Sequence, residues 1–314
     1  MPQLTALSKV LPILLVIGLG VLLRRLGLLT ERTAGDLKRL VVNVTLPALL
    51  FLAFARLDAP LTSLGLVATM FLACLAGLLV GFALRRALGI RARTFPMLLT
   101  GFEAGMMGYA LFASIYGAES LHRFALVDLG HVVFVFAVLI PVLQRATQGA
   151  RPLRETLGGL LRSPVLLAIA GGLIADRTGL LRTLAATPVV SGLPDAVGLV
   201  GGMTTPLVAL LIGHDLRLRL RGLARPALTL GLRLLLWIPA GVAIAELVVQ
   251  RWLGLDRGYV AAVLLLVILP PPFVIPIFLP ETAREELDDT VSTLALSTLV
   301  TLVAATGVAL LYPP

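Results

Sequence analysis

Two of the chain's long apolar segments are interrupted in the middle, one at Gly105-Met106-Met107-Gly108 and one at Pro270-Pro271-Pro272 with Pro276 following, and each is the fourth in a group of five. In hydrocarbon an unpaired backbone group costs several kcal/mol. An interrupted helix at membrane depth is therefore tolerated only where protein buries it or where it lines a cavity holding something polar. Matched interruptions in the two halves of a chain are the pattern of a secondary carrier built from repeats.

The segments themselves read as spanning helices, since roughly 20 predominantly apolar residues cross about 30 Å of hydrocarbon. Helices are expected at 4–23, 37–55, 61–84, 95–116 and 124–143, and again at 164–181, 193–211, 223–249, 259–279 and 287–310. Composition excludes a soluble domain: 58% of residues are hydrophobic and 14% charged, whereas charged residues alone approach about 25% in soluble domains. The first segment runs straight into Arg24-Arg25 without a small-residue cleavage site, so it is expected to stay as helix one rather than leave as a signal peptide.

Under this parse the basic residues gather on one side, as the positive-inside rule asks of cytoplasmic loops. Arg24, Arg25, Arg32, Lys38, Arg39, Arg85, Arg86, Arg91, Arg93, Arg145, Arg151, Arg154, Arg162, Arg217, Arg219, Arg221, Arg225 and Arg284 fall in alternate connectors. Both termini are then expected outside the cytoplasm. The net charge of +9 needs no nucleic acid to explain it, because the cations lie in short loops beside anionic headgroups. Cys74 lies in mid-helix with no second cysteine to pair with. A membrane protein without a folded soluble part suits a bacterial inner membrane.

Five helices per half is an odd number, so the second five enter the membrane in the opposite sense. The expected architecture is all-α, ten transmembrane helices as a 5+5 inverted repeat with broken crossover helices four and nine. Residues 1–145 form the first repeat, 146–162 a cytoplasmic linker and 163–314 the second repeat. Thr45-Leu46-Pro47-Ala48-Leu49 in helix two resembles Thr204-Thr205-Pro206-Leu207-Val208 in helix seven, and proline at each place kinks the rod by removing a donor.

Several runs resemble one family. Pro12 to Gly20, Arg24-Arg25-Leu26-Gly27-Leu28-Leu29 and Asn43-Val44-Thr45-Leu46-Pro47-Ala48-Leu49 look like the opening of the auxin efflux carrier family. Gly101-Phe102-Glu103-Ala104-Gly105-Met106-Met107-Gly108-Tyr109-Ala110-Leu111 resembles its first crossover helix, and Ser163-Pro164, Thr205-Pro206-Leu207 and Ile212-Gly213 resemble its second half. The resemblance implies a ten-helix fold shared with the bile-acid/sodium symporter superfamily, carriage of a small organic anion, and a homodimer. Two departures stand out. In the first crossover Glu103 replaces an asparagine seen in many members and Ala110 stands where proline is usual, and the second crossover, Leu264 to Leu279, carries no side-chain oxygen or nitrogen.

Glu103 is the most informative side chain, because a carboxylate inside a span costs roughly 2.5–3.5 kcal/mol on insertion scales and marks a functional site by default. A buried carboxyl that gains and loses a proton is a proton carrier; the alternative is an ion pair with Arg233 in helix eight. Gly105 and Gly108 either let helices approach or let the chain unwind and offer amides to an anion. Pro270, Pro271, Pro272 and Pro276 free carbonyls of the preceding turn. Asp128 and His131, three apart on one helix face, form either a proton relay or a structural pair. Asn43, Thr45, Thr204 and Thr205 supply neutral hydrogen-bonding groups beside Pro47 and Pro206, and Tyr109 adds a phenol. His214-Asp215 reads as an anchor at a cytoplasmic helix end.

The function expected is a secondary transporter of a small organic anion, coupled to H+ ahead of Na+, because a hard cation wants several oxygen ligands and the second crossover supplies only backbone carbonyls; Na+ is the alternative. A non-transporting sensor on the same fold stays open. No cofactor or metal is expected. The sequence lacks H-E-x-x-H, G-x-S-x-G and any phosphate loop, so an enzyme is not expected either.

Overall fold

The structure, a computed structural model, describes residues 2–57, 63–148, 163–216, 222–280 and 282–313. Most of the expected linker, 149–162, lies outside the described residues, as do Arg217, Arg219 and Arg221. Among the described residues there is no strand. The helices of ten residues or more are α1 (Pro2–Arg25), α2 (Glu31–Ala55), α3 (Leu64–Ala87), α4 (Ala104–Tyr116), α5 (Ala118–Thr147), α6 (Pro164–Thr178), α7 (Leu193–Asp215), α8 (Ala224–Trp252), α9 (Arg257–Ile268) and α10 (Arg284–Leu311); the shorter Phe95–Leu98 and Leu180–Ala186 lie between them. Of these, α2, α3, α5, α7, α8 and α10 are long and apolar enough to cross a membrane.

Local chemistry sets the boundaries. Helix α2 starts before the apolar run because Thr30 caps it, its hydroxyl accepting from the Thr33 amide at 3.2 Å, with Glu31 at the positive end of the helix dipole. Pro47 brings no amide to the ladder, and the turn before it, Val41–Thr45, widens to π-helical spacing. Helix α6 opens on Pro164 and stops at Gly179, whose φ of 67° is left-handed, so it ends short of the expected residue 181.

The long helices pair closely. Helix α1 packs along α7 and α6 along the Leu46–Ala55 half of α2, while α3 packs on α5 and α8 on α10. A Cβ on Gly213 would stand 2.0 Å from the Ile17 carbonyl oxygen, one on Gly130 2.0 Å from that of Val67, and one on Gly172 2.6 Å from that of Phe51. Backbone therefore touches backbone at three crossings, the way helices associate in lipid. Away from these contacts the long helices show bare apolar faces, with Leu15, Leu79, Ile174, Leu199, Leu235 and Val303 all exposed. Lipid would cover such faces.

The two short helices lie inside this shell. In α9 Val260, Ala261, Ala262, Val263, Leu265 and Leu266 are all fully buried, and in α4 Tyr109, Ala110, Leu111 and Phe112 are nearly so. A helix apolar on every side belongs in an interior, and both interruptions lie at the ends of these two.

Candidate functional site

The first interruption is displaced from its expected place. Residues 99–103 leave helical geometry between the one-turn helix Phe95–Leu98 and α4. Gly105 to Gly108 instead form the wide first turn of α4, with the Gly108 amide bonding the Glu103 carbonyl at 3.0 Å and the Tyr109 amide that of Ala104. The break belongs to Gly101, whose φ of 73° is cheap only for glycine. A Cβ there would also stand 2.8 Å from Leu139 and 3.1 Å from Pro272. The second interruption is where the prolines predict it. Helix α9 ends at Ile268, and 269–274 run irregularly into a single 3-10 turn, Ile275–Phe278.

The two interruptions touch through main chain. The Glu103 amide donates to the Pro270 carbonyl at 2.8 Å. The Glu103 carboxylate then spans both pieces, with Oε1 accepting from the Met106 amide at 3.1 Å and Oε2 from the Phe273 amide at 2.6 Å. As N-cap of α4 it faces the positive end of that helix. Glu103, Gly105, Met106 and Phe273 are half-buried, and Gly105 is loosely packed: an added Cβ would make only ordinary van der Waals contact, with Leu46 at 3.7 Å and Glu103 Oε1 at 3.9 Å.

The ion pair between Glu103 and Arg233, the alternative reading of Glu103, does not form. Arg233, 1% exposed, donates instead to the carbonyls of Leu98 (3.1 Å), Gly101 (2.7 Å) and Leu269 (3.0 Å). The physical reason is the pair of breaks: carbonyls that lose their helical donors crowd at one place, and a planar five-donor cation can serve several at once. Trp237, one turn along α8, donates its indole N–H to the Leu99 carbonyl at 2.7 Å, and Arg233 stacks over the Phe102 ring with its guanidinium carbon 4.9 Å from the centroid. Of the carbonyls expected free at the end of α9, that of Ile268 takes the Thr301 hydroxyl at 2.5 Å and that of Leu266 the Leu269 amide at 3.1 Å.

Asp128 and His131 are a buried pair attached to the same knot. His131 Nε2 lies 2.9 Å from the Phe102 amide, which can only donate, so the ring proton sits on Nδ1 and is given to Asp128 Oδ1 at 2.8 Å. The imidazole is thereby neutral and its carboxylate partner orients it. Phe102 is the neighbour of Glu103, so the pair holds the first interruption from α5 while Arg233 holds it from α8.

The residues around the proline kinks divide. Thr45 and Thr204 are buried, and neither hydroxyl has a hydrogen-bond partner among the described residues. Leu46, beside Thr45, reaches Gly105, and the Thr204–Asp215 part of α7 packs on the 104–108 turn. Thr205 and Pro47 are half-buried, whereas Asn43 and Pro206 are exposed. Asn43 bonds back to the Arg39 carbonyl at 2.8 Å, so it points away from the knot. Tyr109 is buried, its ring edge-on to Phe124 at 4.9 Å. Pro270, Pro271 and Pro272 are buried and Pro276 half-buried. Far from these, Asp215 takes Lys38 at 2.7 Å and His214 at 3.0 Å, the anchoring arrangement expected at that helix end.

Sequence reasoning passed over Thr301 and Trp237. A signal for the first exists: Thr290, Thr293, Ser297 and Thr301 recur at helical spacing on α10, and all are buried, a hydroxyl stripe facing inward.

A family model described as membrane transport protein matches residues 5–157. An uncharacterized transporter of Methanothermobacter thermautotrophicus is 30% identical over 240 residues, covering 73% of this chain and 74% of the relative.

Proposed function

The chain belongs to the auxin efflux carrier family of membrane transport proteins, and from that premise we propose that it is a proton-coupled secondary carrier of a small organic anion. It is an integral membrane transporter; the substrate class, the coupling ion and the location of the site are the proposal. The carrying observation is the Glu103 carboxylate held between the Met106 and Phe273 amides, where two interrupted segments meet in the interior. Such half-helix ends facing one polar spot are how transporters of this kind seat charged substrates.

The pairing of α1 with α7 and of α6 with α2 supports a ten-span inverted repeat, since the two contacts exchange when the halves are swapped. In that arrangement both termini are non-cytoplasmic and the membrane is the inner, plasma membrane. A homodimer accords with the family. Protons are favoured over sodium because Arg233 already occupies the carbonyls of Leu98, Gly101 and Leu269, the oxygens a hard cation would need.

Counterflow of labelled malate, malonate or indole-acetate in proteoliposomes, with pH and sodium varied independently, tests this. Exchange that quickens as the proton gradient steepens and ignores sodium is expected. Failure of every anion to exchange defeats the reading, and sodium dependence replaces the proton.

A further inference from the structure

The anion-carrier reading, on which this inference rests, has an electrostatic consequence. Glu103 sits in the seat of an anionic ligand: both its oxygens are taken by main-chain amides, Met106 at 3.1 Å and Phe273 at 2.6 Å. A substrate carboxylate would want the same donors. Two carboxylates on one pair of amides would repel in a medium that screens poorly, so the substrate anion and the Glu103 anion exclude each other.

Fixed charge around the knot restricts matters further. The charged groups that act on Glu103 are Asp128 and His131 of α5; beside them in the knot lie Tyr109 of α4, against Asp128, Cys74 of α3, and Arg233 of α8, bound to the Gly101 and Leu269 carbonyls. His131 is neutral in its bonding arrangement, with Nε2 accepting from Phe102. Arg233 is committed to three carbonyls. With Glu103 and Asp128 ionised against one guanidinium, the knot carries a single net negative charge.

We propose that the substrate is a monovalent carboxylate that replaces the Glu103 carboxylate on the Met106 and Phe273 amides as Glu103 takes one proton from water. The protonated side chain swings off the amides past half-buried Gly105, where an added Cβ would meet its neighbours without a clash, and the buried hydroxyls of Thr45 and Thr204, which have no partner among the described residues, meet the rest of the substrate. Net charge at the knot is the same before and after binding. On the other side the substrate leaves, Glu103 returns its proton to water, and its carboxylate recovers the two amides. One anion and one proton cross together, so transport is electroneutral. Among the described residues the buried arginine or lysine is Arg233 alone, already committed to three carbonyls, so a dicarboxylate brings a second charge with no counter-ion, and like charges brought together repel.

The test uses the full chain in proteoliposomes, with potassium and valinomycin setting the potential and a trapped dye reporting pH. Labelled indole-acetate is expected to enter with one proton per molecule at a rate indifferent to potential. Malonate at neutral pH should enter at least tenfold more slowly, the factor that each ~1.4 kcal/mol confers. Glu103→Gln should carry indole-acetate without a proton and become potential-driven, one net charge per turnover. Indole-acetate uptake that responds to potential in the unmutated protein overturns the proposal, and this measurement stands even if the variant does not fold. Proton co-transport by Glu103→Gln, or equal rates for malonate, overturns it too. If neither anion crosses, the anion-carrier reading itself has failed, a result distinct from anion transport with the wrong charge.

Discussion

Replacing Arg233 with methionine should unfasten the interrupted segments, and the size of the effect can be worked from its partners. Methionine keeps most of the volume but removes donors to the carbonyls of Leu98, Gly101 and Leu269. Relief from burying a guanidinium offsets part of the loss, as happens when buried ion pairs are replaced by apolar residues. That relief is incomplete here because the partners stay behind. Each carbonyl left in an apolar interior without a donor costs about 1–3 kcal/mol, so three cost at least ~3 kcal/mol, and Asp128 and Glu103 lose the buried cation in their neighbourhood. Arg233→Lys retains the charge but not the planar fork that serves several acceptors, and should fall between. Unfolding of purified protein in one detergent, followed by tryptophan emission, gives the comparison; Trp237, 1% exposed, sits one turn from the change. If Arg233→Met unfolds within about 1 kcal/mol of the parent, below the penalty of even one or two orphaned carbonyls, the guanidinium is not what joins the two segments.

Two further substitutions probe the same knot. Gly101→Ala puts a side chain at φ 73° and within 2.8 Å of Leu139; left-handed strain adds roughly 1–2 kcal/mol to the clash, so lower thermal stability and slower counterflow are expected, and a neutral result would mean the break lies elsewhere. Thr204→Val and Thr45→Val remove buried hydroxyls that have no partner, so stability in detergent should hold or rise while indole-acetate counterflow slows; unchanged flux would remove these hydroxyls from the substrate's path.

Much of this was legible from sequence where a residue breaks a rule of its surroundings. The prolines at 270–272 announce a break because they carry no amide, and Glu103 stands out because a carboxylate in a span is expensive, and it is the side chain that joins the two interruptions. The spacing of Asp128 and His131 brings them onto one face, as observed. What stayed hidden depends on main chain. His131 grips the Phe102 amide, and any of the twenty residue types but proline would present that amide equally well. Gly101 escaped notice for a similar reason: thirty glycines look alike in sequence, and the pair at 105 and 108 resembled a hinge more than a lone glycine did.

Arg233 shows how the two kinds of information join. Its charge made it conspicuous, and pairing it with the nearest conspicuous anion followed from counting side chains alone. Two interruptions facing each other, however, free carbonyls from both segments at one place, and together these form an acceptor as demanding as a carboxylate. Glu103 then has no need of the guanidinium, because the same interruptions free amides at the start of α4 and at Phe273. A broken helix in a membrane interior thus presents two sites of opposite polarity, one for a cation at its carbonyl end and one for an anion at its amide end. Here side chains of opposite charge fill both: Arg233 is locked into its site by three carbonyls, whereas Glu103 holds its own from a half-buried position, which is why exchange with a substrate is assigned to the second.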